Sequence, residues 1–157
     1  MKILAIQNRM GIGDMVIFLP FIEAISKHFN SPITLLVKES SKANEYINKN
    51  NKIKNIICLE RDNKNNGNHD GILGFLRLSK ELKKHSFDKA FIFNSSLRYN
   101  LICKLAGIKE INQSPLFRKK KQHIIDAAKN LLLNNLNLNV ESNPQIFLEN
   151  NLIQIAQ

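Results

Sequence analysis

The chain has 157 residues, 43% of them apolar, and a formal net charge of +10. That length suits one domain with a full core, and that apolar fraction excludes disorder of the whole chain. No apolar run approaches the roughly 18–20 residues that span a bilayer, and the apolar segment 3–6, followed at once by Gln-Asn-Arg, is too short for a signal peptide.

The chain therefore reads as cytoplasmic. Cys58 and Cys103 lie far apart in apolar surroundings, without a CxxC pairing, and read as buried thiols. The histidines at 28, 69, 85 and 123 show no metal-ligand spacing. No metal or cofactor is expected. The positive charge points to an anionic partner. Part of it belongs to composition, because Asn, Ile and Lys are all abundant, as AT-rich coding produces.

In chain order, residues 2–7 (KILAIQ) read as a buried strand. Met15, Phe18, Leu19, Ile22, Ile25 and Phe29 recur at steps of three and four, the face of a helix. Pro20 inside that run predicts a kink or a restart, because proline has no N–H and clashes with the preceding turn. Residues 32–37 (PITLLV) are a second strand, and Ser40 or Ser41 can cap a short helix running to about Asn48. Residues 53–59 form the third strand, followed by the polar loop 60–71 (ERDNKNNGNHDG). Ile72, Phe75, Leu76, Ser79 and Leu82 mark the buried face of the next helix.

Residues 87–94 (FDKAFIFN) are the fourth strand. Ser95 or Ser96 can cap a helix through Leu105, with Gly107 as its stop. Residues 109–112 are a short fifth strand, and 114–121 a basic loop. A helix over 122–136 buries Ile124, Ile125, Ala128, Leu131 and Leu132. Residues 145–148 are a last strand, and 150–157 look like the start of another helix. The repeated β–α pattern predicts an α/β fold: a Rossmann-like parallel sheet with helices on both faces.

In such a sheet, ligands bind at the carboxyl ends of the strands. The first such end is NRMGIGD, residues 8–14, which holds two of the chain's six glycines. It is not a P-loop, since no Lys-Ser or Lys-Thr follows. It is not a full dinucleotide fingerprint, since Gly11, Gly13 and Val16 give GxGxxV. Gly11 and Gly13 let the backbone approach a ligand or take positive φ. Asp14 is either the helix N-cap, worth about 1 kcal/mol over alanine, or a carboxylate facing a cleft. The two roles are compatible.

The opening KILAIQNRMGIGDMVIFLP resembles that of the ADP-heptose:lipopolysaccharide heptosyltransferases, glycosyltransferase family 9. That opening has a strand, a small-residue loop ending in Gly-Asp, and a proline six residues after the aspartate; Gly13, Asp14 and Pro20 match it. Residues 122–138 (QHIIDAAKNLLLNNLNL) are similar to the helix that closes the family's amino-terminal domain. The resemblance implies the N-terminal half of a GT-B fold. Residues 1–148 would be the acceptor-binding domain and 149–157 the start of an interdomain helix, with the donor-binding domain absent.

The resemblance also implies inverting, metal-independent transfer of heptose or a related sugar from an ADP-sugar to a lipopolysaccharide core acceptor. Asp14 stands at the proposed general base, and this half alone would not turn over. A carboxylate is a poor base at neutral pH unless its surroundings tune and place it. The Kdo-lipid acceptor would bring carboxylates and phosphates, and peripheral contact with the cytoplasmic face of the inner membrane. The alternative is a stand-alone Rossmann-like anion- or nucleotide-binding module without catalysis.

Four of the five arginines fall after predicted strands: Arg9, Arg61, Arg98 and Arg118. Arg77 alone sits within a predicted helix. An arginine fork binds phosphate or carboxylate bidentately, which an ammonium cannot. Arg9, Arg61, Arg98 and Arg118, with Lys64, His69 and Lys119, Lys120 and Lys121, are expected to line an anion-binding edge of the sheet. The alternative is that exposed loops simply carry charge. Ser95 and Ser96 can hydrogen-bond a sugar or cap a helix. Nucleic acid is not an expected partner, because the basic loops lack interleaved aromatics.

Overall fold

A computed structural model of the chain describes residues 1–9, 11–47, 50–61, 67–115 and 123–143. The elements run β1 (Ile3–Gln7), α1 (Ile12–His28), β2 (Ile33–Lys38), a 3-10 turn (Glu39–Ser41), α2 (Ala43–Tyr46) and β3 (Ile53–Leu59). They continue with α3 (Gly71–His85), β4 (Lys89–Ile92), α4 (Leu97–Leu105), β5 (Glu110–Gln113) and α5 (Ile124–Leu136). The expected strand 145–148 and the stretch 149–157 lie outside the described residues.

The sheet is wholly parallel, in the order β3-β2-β1-β4-β5. It is the α/β, Rossmann-like sheet expected, with helices on both faces. Every residue of β1 is buried. Ile3 and Ala5 join Phe18, Ile22, Leu131 and Leu132 of α1 and α5 on one face; Leu4 and Ile6 join Leu78, Leu82, Tyr99 and Ile102 of α3 and α4 on the other. Burial on both faces is why the strand reads as an unbroken apolar run. At the amino end of β1, the Lys2 backbone N–H donates to Asp88 Oδ2 over 2.7 Å, and the Asp88 N–H returns to the Lys2 carbonyl over 2.8 Å.

Helix α1 runs through Pro20 as one element, so no restart occurs. Its flanking residues Phe18, Leu19, Phe21 and Ile22 are all buried. Each contributes roughly 1.5–3 kcal/mol, enough together to outweigh the roughly 3 kcal/mol an interior proline costs. Ser41 does not cap a helix. Its hydroxyl donates to the Lys38 carbonyl over 2.6 Å, and Lys42 in a left-handed conformation starts the short α2.

Ile72 and Leu76 were expected on a buried face and are instead 80% and 52% exposed, because α3 turns Leu78 and Leu82 to the sheet and these two away from it. Ile124 and Ile125 are half-buried, whereas Ala128, Leu131 and Leu132 are buried as expected. Gly107, at φ 83, stops the α4 segment, with the Ile108 N–H bonded to the Cys103 carbonyl over 3.0 Å. Among the described residues no helix is long and apolar enough to cross a membrane.

Candidate functional site

In this strand order the chain leaves β1 toward β2 and leaves β4 toward β5. The connections diverge, and a crevice opens between the carboxyl ends of β1 and β4. The β1 side of it is built from Gln7, Arg9, Gly11 and Asp14. Gln7 is buried, and its side-chain oxygen accepts the Arg9 backbone N–H, which bends the chain away from the strand. Gly11 is the N-cap of α1 at φ 110 and ψ 151, a conformation that side chains disfavour.

Asp14 is therefore not the N-cap. It is the third residue of the helix, half-buried in the first turn, and its carboxylate has no hydrogen-bond or ion-pair partner among the described residues. The helix dipole favours a negative charge there. Gly13 is exposed beside it, and a side chain at that position would meet only open space.

Between β3 and α3, residues 60–61 and 67–70 meet. They are joined by the His69 N–H to the Glu60 carbonyl, 2.9 Å, and by the Glu60 N–H to His69 Nδ1, 3.0 Å. A ring nitrogen that accepts an N–H carries no proton, so His69 bears its hydrogen on Nε2, which faces Glu81 Oε2 at 3.2 Å. Both ring nitrogens are thus engaged and the ring is buried. His69 holds these stretches together through both ring nitrogens.

Asp70 is the second clamp. One carboxylate oxygen accepts the Gly67 N–H over 2.9 Å and the other accepts Arg61 Nε over 3.1 Å. Gly74 lets α3 approach this loop closely, since a Cβ there would stand 2.2 Å from the His69 carbonyl carbon.

Arg61 and Arg98 come together over this clamp. A terminal nitrogen of Arg98 donates to the carbonyls of His69, 2.8 Å, and Gly71, 3.0 Å, and its guanidinium lies 5.4 Å from the Phe75 ring centre. Burial lowers the Arg98 pKa, and the neighbouring charge of Arg61 lowers it further. Burial also opposes the charge on Arg61, but Tyr99 and Asp70 outweigh it and the net direction is up. The Tyr99 hydroxyl favours that charge electrostatically while meeting no partner at hydrogen-bond geometry, so Asp70 is the fixed anchor. Two guanidiniums in mutual repulsion, tethered to carbonyls and one carboxylate, are relieved by an incoming anion.

The β4 side carries amides. Asn94 Oδ1 accepts the Ser96 N–H over 2.8 Å, Gln113 Nε2 donates to the Asn94 and Ser96 carbonyls, 3.0 Å each, and Asn100 donates to Gln113 Oε1 over 2.8 Å. Ser96 occupies the N-cap of α4 without a side-chain capping bond, and Ser95 is exposed. Four buried side-chain atoms among the described residues lack any partner: Asn94 Nδ2, Arg98 Nε, Tyr99 Oη and Ser114 Oγ. All four belong to residues on, or just before, α4 or just past β5. Buried polar atoms cost about 1–3 kcal/mol each when unpaired. They gather on the side where this sheet type takes ligands.

Of the expected site residues, the structure thus brings Arg61, His69 and Arg98 into one cluster. Arg9, Gly11, Gly13 and Asp14 lie at the end of β1, and Ser95 and Ser96 at the end of β4. Lys64, Arg118, Lys119, Lys120 and Lys121 lie outside the described residues. Sequence reasoning missed Asp70, Tyr99, Asn94 and Ser114. An Asp-Gly pair just before an apolar helical run was the available signal for Asp70. Among the described residues no His, Cys, Asp and Glu side chains group as a metal site. A cavity of about 280 Å³ lined by Lys2, Lys54, Lys84 and His85 sits at the opposite, amino-terminal edge of the sheet.

No family model and no curated protein matches the sequence. The fold is similar to that of solved glycosyltransferases. A family 9 glycosyltransferase from Veillonella parvula matches 92% of this chain with a TM-score of 0.64 at 17% identity, over 43% of its own length. The E. coli heptosyltransferase WaaC with ADP-2-deoxy-2-fluoro heptose matches 87% with a TM-score of 0.60 at 11% identity, over 49% of its length. E. coli ADP-heptose lps heptosyltransferase II matches 72% with a TM-score of 0.56 at 18% identity, over 30% of its length. The chain spans less than half the length of each of these structures.

Proposed function

We propose that this chain is the acceptor-binding half of an inverting glycosyltransferase that moves heptose, or a related sugar, from an ADP-sugar to a lipopolysaccharide core acceptor on the cytoplasmic side of the membrane. The carrying observation is Asp14: a half-buried carboxylate without a partner, beside Gly11 and Gly13, at the crevice between β1 and β4. In the reaction, an acceptor hydroxyl oxygen attacks the anomeric carbon from the face opposite ADP. The new C–O bond forms as the bond to the diphosphate breaks, and Asp14 takes the hydroxyl proton.

Arg61 and Arg98, with Arg9 on the neighbouring loop, hold the acceptor's carboxylates or phosphates, while Ser95 and Ser96 are placed to meet its hydroxyls. The nucleotide-sugar would be held by a donor-binding domain that follows this one. The fold likeness to heptosyltransferases supports the donor chemistry, and the repelling guanidiniums support an anionic acceptor.

The test is ADP release from ADP-heptose with a Kdo-lipid acceptor, for the full-length protein and its Asp14→Asn variant. Asparagine keeps the size but takes no proton. Turnover should fall about 10²-fold or more with folding intact. Equal turnover would reduce Asp14 to a helix-stabilising acid. Wild-type protein that binds the acceptor but releases no ADP would return the reading to a non-catalytic anion-binding module.

A further inference from the structure

Helices α3 and α4 lie side by side on the same face of the sheet. Their outer surface is not polar. Ile72, Leu73 and Leu76 on α3 are 80%, 69% and 52% exposed, and Leu97, Leu101 and Leu105 on α4 are 54%, 41% and 55% exposed. These six are most of the exposed large apolar side chains among the described residues, so the apolar surface is concentrated rather than scattered. The leucines of α4 recur at steps of four and form one stripe.

The charge on this face has one sign. Arg77, Lys80, Lys83 and Lys84 continue the outward side of α3, and Lys104 sits beside the α4 stripe; all are exposed. Glu81, the one acid in either helix, faces His69 Nε2. Protein partners are met chiefly through aromatic anchors, and the exposed large apolar side chains of this surface are all leucine or isoleucine. Leucine and isoleucine rimmed by lysine match the boundary of an anionic bilayer, where apolar side chains enter the headgroup layer and each base adds about 1 kcal/mol.

We infer that the outer face of α3 and α4 docks this protein on an anionic lipid bilayer. Ile72, Leu73 and Leu97 are at the amino ends of the two helices, next to Gly71 and Ser96 at the carboxyl edge of the sheet. Docking would hold the Arg61–Arg98 cluster beside the lipid surface, so that an anionic headgroup reaches it without leaving the membrane. The inference stands apart from the transfer reaction, because it is read as lipid affinity in the absence of any sugar donor.

The experiment is co-sedimentation of the chain with phosphatidylcholine vesicles, with and without phosphatidylglycerol. Binding is expected only with the anionic lipid, and is expected to weaken with salt. Leu73→Ser/Leu76→Ser/Leu101→Ser should weaken it about tenfold or more at an unchanged melting temperature. Lys80→Glu/Lys84→Glu should do likewise, while Lys27→Glu/Lys129→Glu, on α1 and α5 at the opposite face of the sheet, should not. Three results would overturn the inference: no binding to either vesicle; binding that the leucine variant leaves intact; or a concentration-dependent dimer that the leucine variant abolishes, which would make a second copy the occupant.

Discussion

Arg61 Nε donates to Asp70 Oδ1 over 3.1 Å, and the pair is lopsided: the Asp70 side chain is 3% exposed and that of Arg61 33%. The acid cannot turn to water if the base is removed. Arg61→Met should therefore destabilise the chain by about 1–3 kcal/mol, the cost of removing a charge-assisted hydrogen bond from a buried carboxylate. Adding Asp70→Asn should recover part of the loss. Urea denaturation of the two variants decides it, and an Arg61→Met protein as stable as wild type would mean that the carboxylate finds another donor.

Tyr99 gives the opposite expectation. Its ring is buried, and its hydroxyl has no partner. Tyr99→Phe removes a hydroxyl that makes no fixed hydrogen bond and acts only through its field at Arg61, so stability should change by less than about 1 kcal/mol. If the hydroxyl serves a ligand at the Arg61–Arg98 cluster, the same change should weaken binding of an anionic sugar in calorimetry. A large loss of stability would show that the hydroxyl is satisfied in the protein.

Two glycines separate packing from access. Gly74→Ala would drive a methyl to within 2.2 Å of the His69 backbone, and overpacking of this kind costs about 1–3 kcal/mol or more. Gly13→Ala meets open space within a helix and should be neutral or stabilising, by up to about 1 kcal/mol. Thermal melts should therefore move in opposite directions. If the crevice beside Asp14 takes the acceptor, Gly13→Ala should cost affinity while sparing the fold.

Alkaline pH should unfold the chain for an identifiable reason. Burial pushes the Cys103 thiol up to about 12 from 9.0, and the Tyr46 hydroxyl up to about 12 from 10.0. In the unfolded chain both ionise at lower pH than in the fold. Their contribution is fully present below about pH 9 and is lost as the pH climbs toward 12. In the native state Cys103 should resist iodoacetamide while the half-buried Cys58 reacts first. Equal labelling rates would sink this expectation.

The sheet was legible in the sequence because β1, β2 and β4 are buried on both faces, or nearly so, and read as apolar runs between helical periods. Ile72 and Leu76 were misplaced for a related reason. Apolar periodicity marks a core-facing stripe, but α3 carries leucine on its outer side as well, and no local pattern tells the two apart. Asp14 was legible as a residue of interest but not as the third helical position, because the cap depends on the φ of Gly11. The Arg61–Arg98 cluster was visible as arginines after strands. The Asp70 clamp was not, because its partners Arg61 and Gly67 are brought to it by tertiary structure and not by spacing.

The first strand is also the central one. β1 pairs with β2 on one side and with β4 on the other, and the Lys2 N–H to Asp88 bond spans 86 positions. As the chain leaves the ribosome, β1 meets β2 early but stays open on its second side until β4 emerges. Such distant pairing slows folding, and an unpaired apolar edge invites association with other chains. The two sides of the crevice are brought together by that late pairing, so the site is assembled among the last events of folding, and shorter amino-terminal pieces that stop before β4 cannot form it.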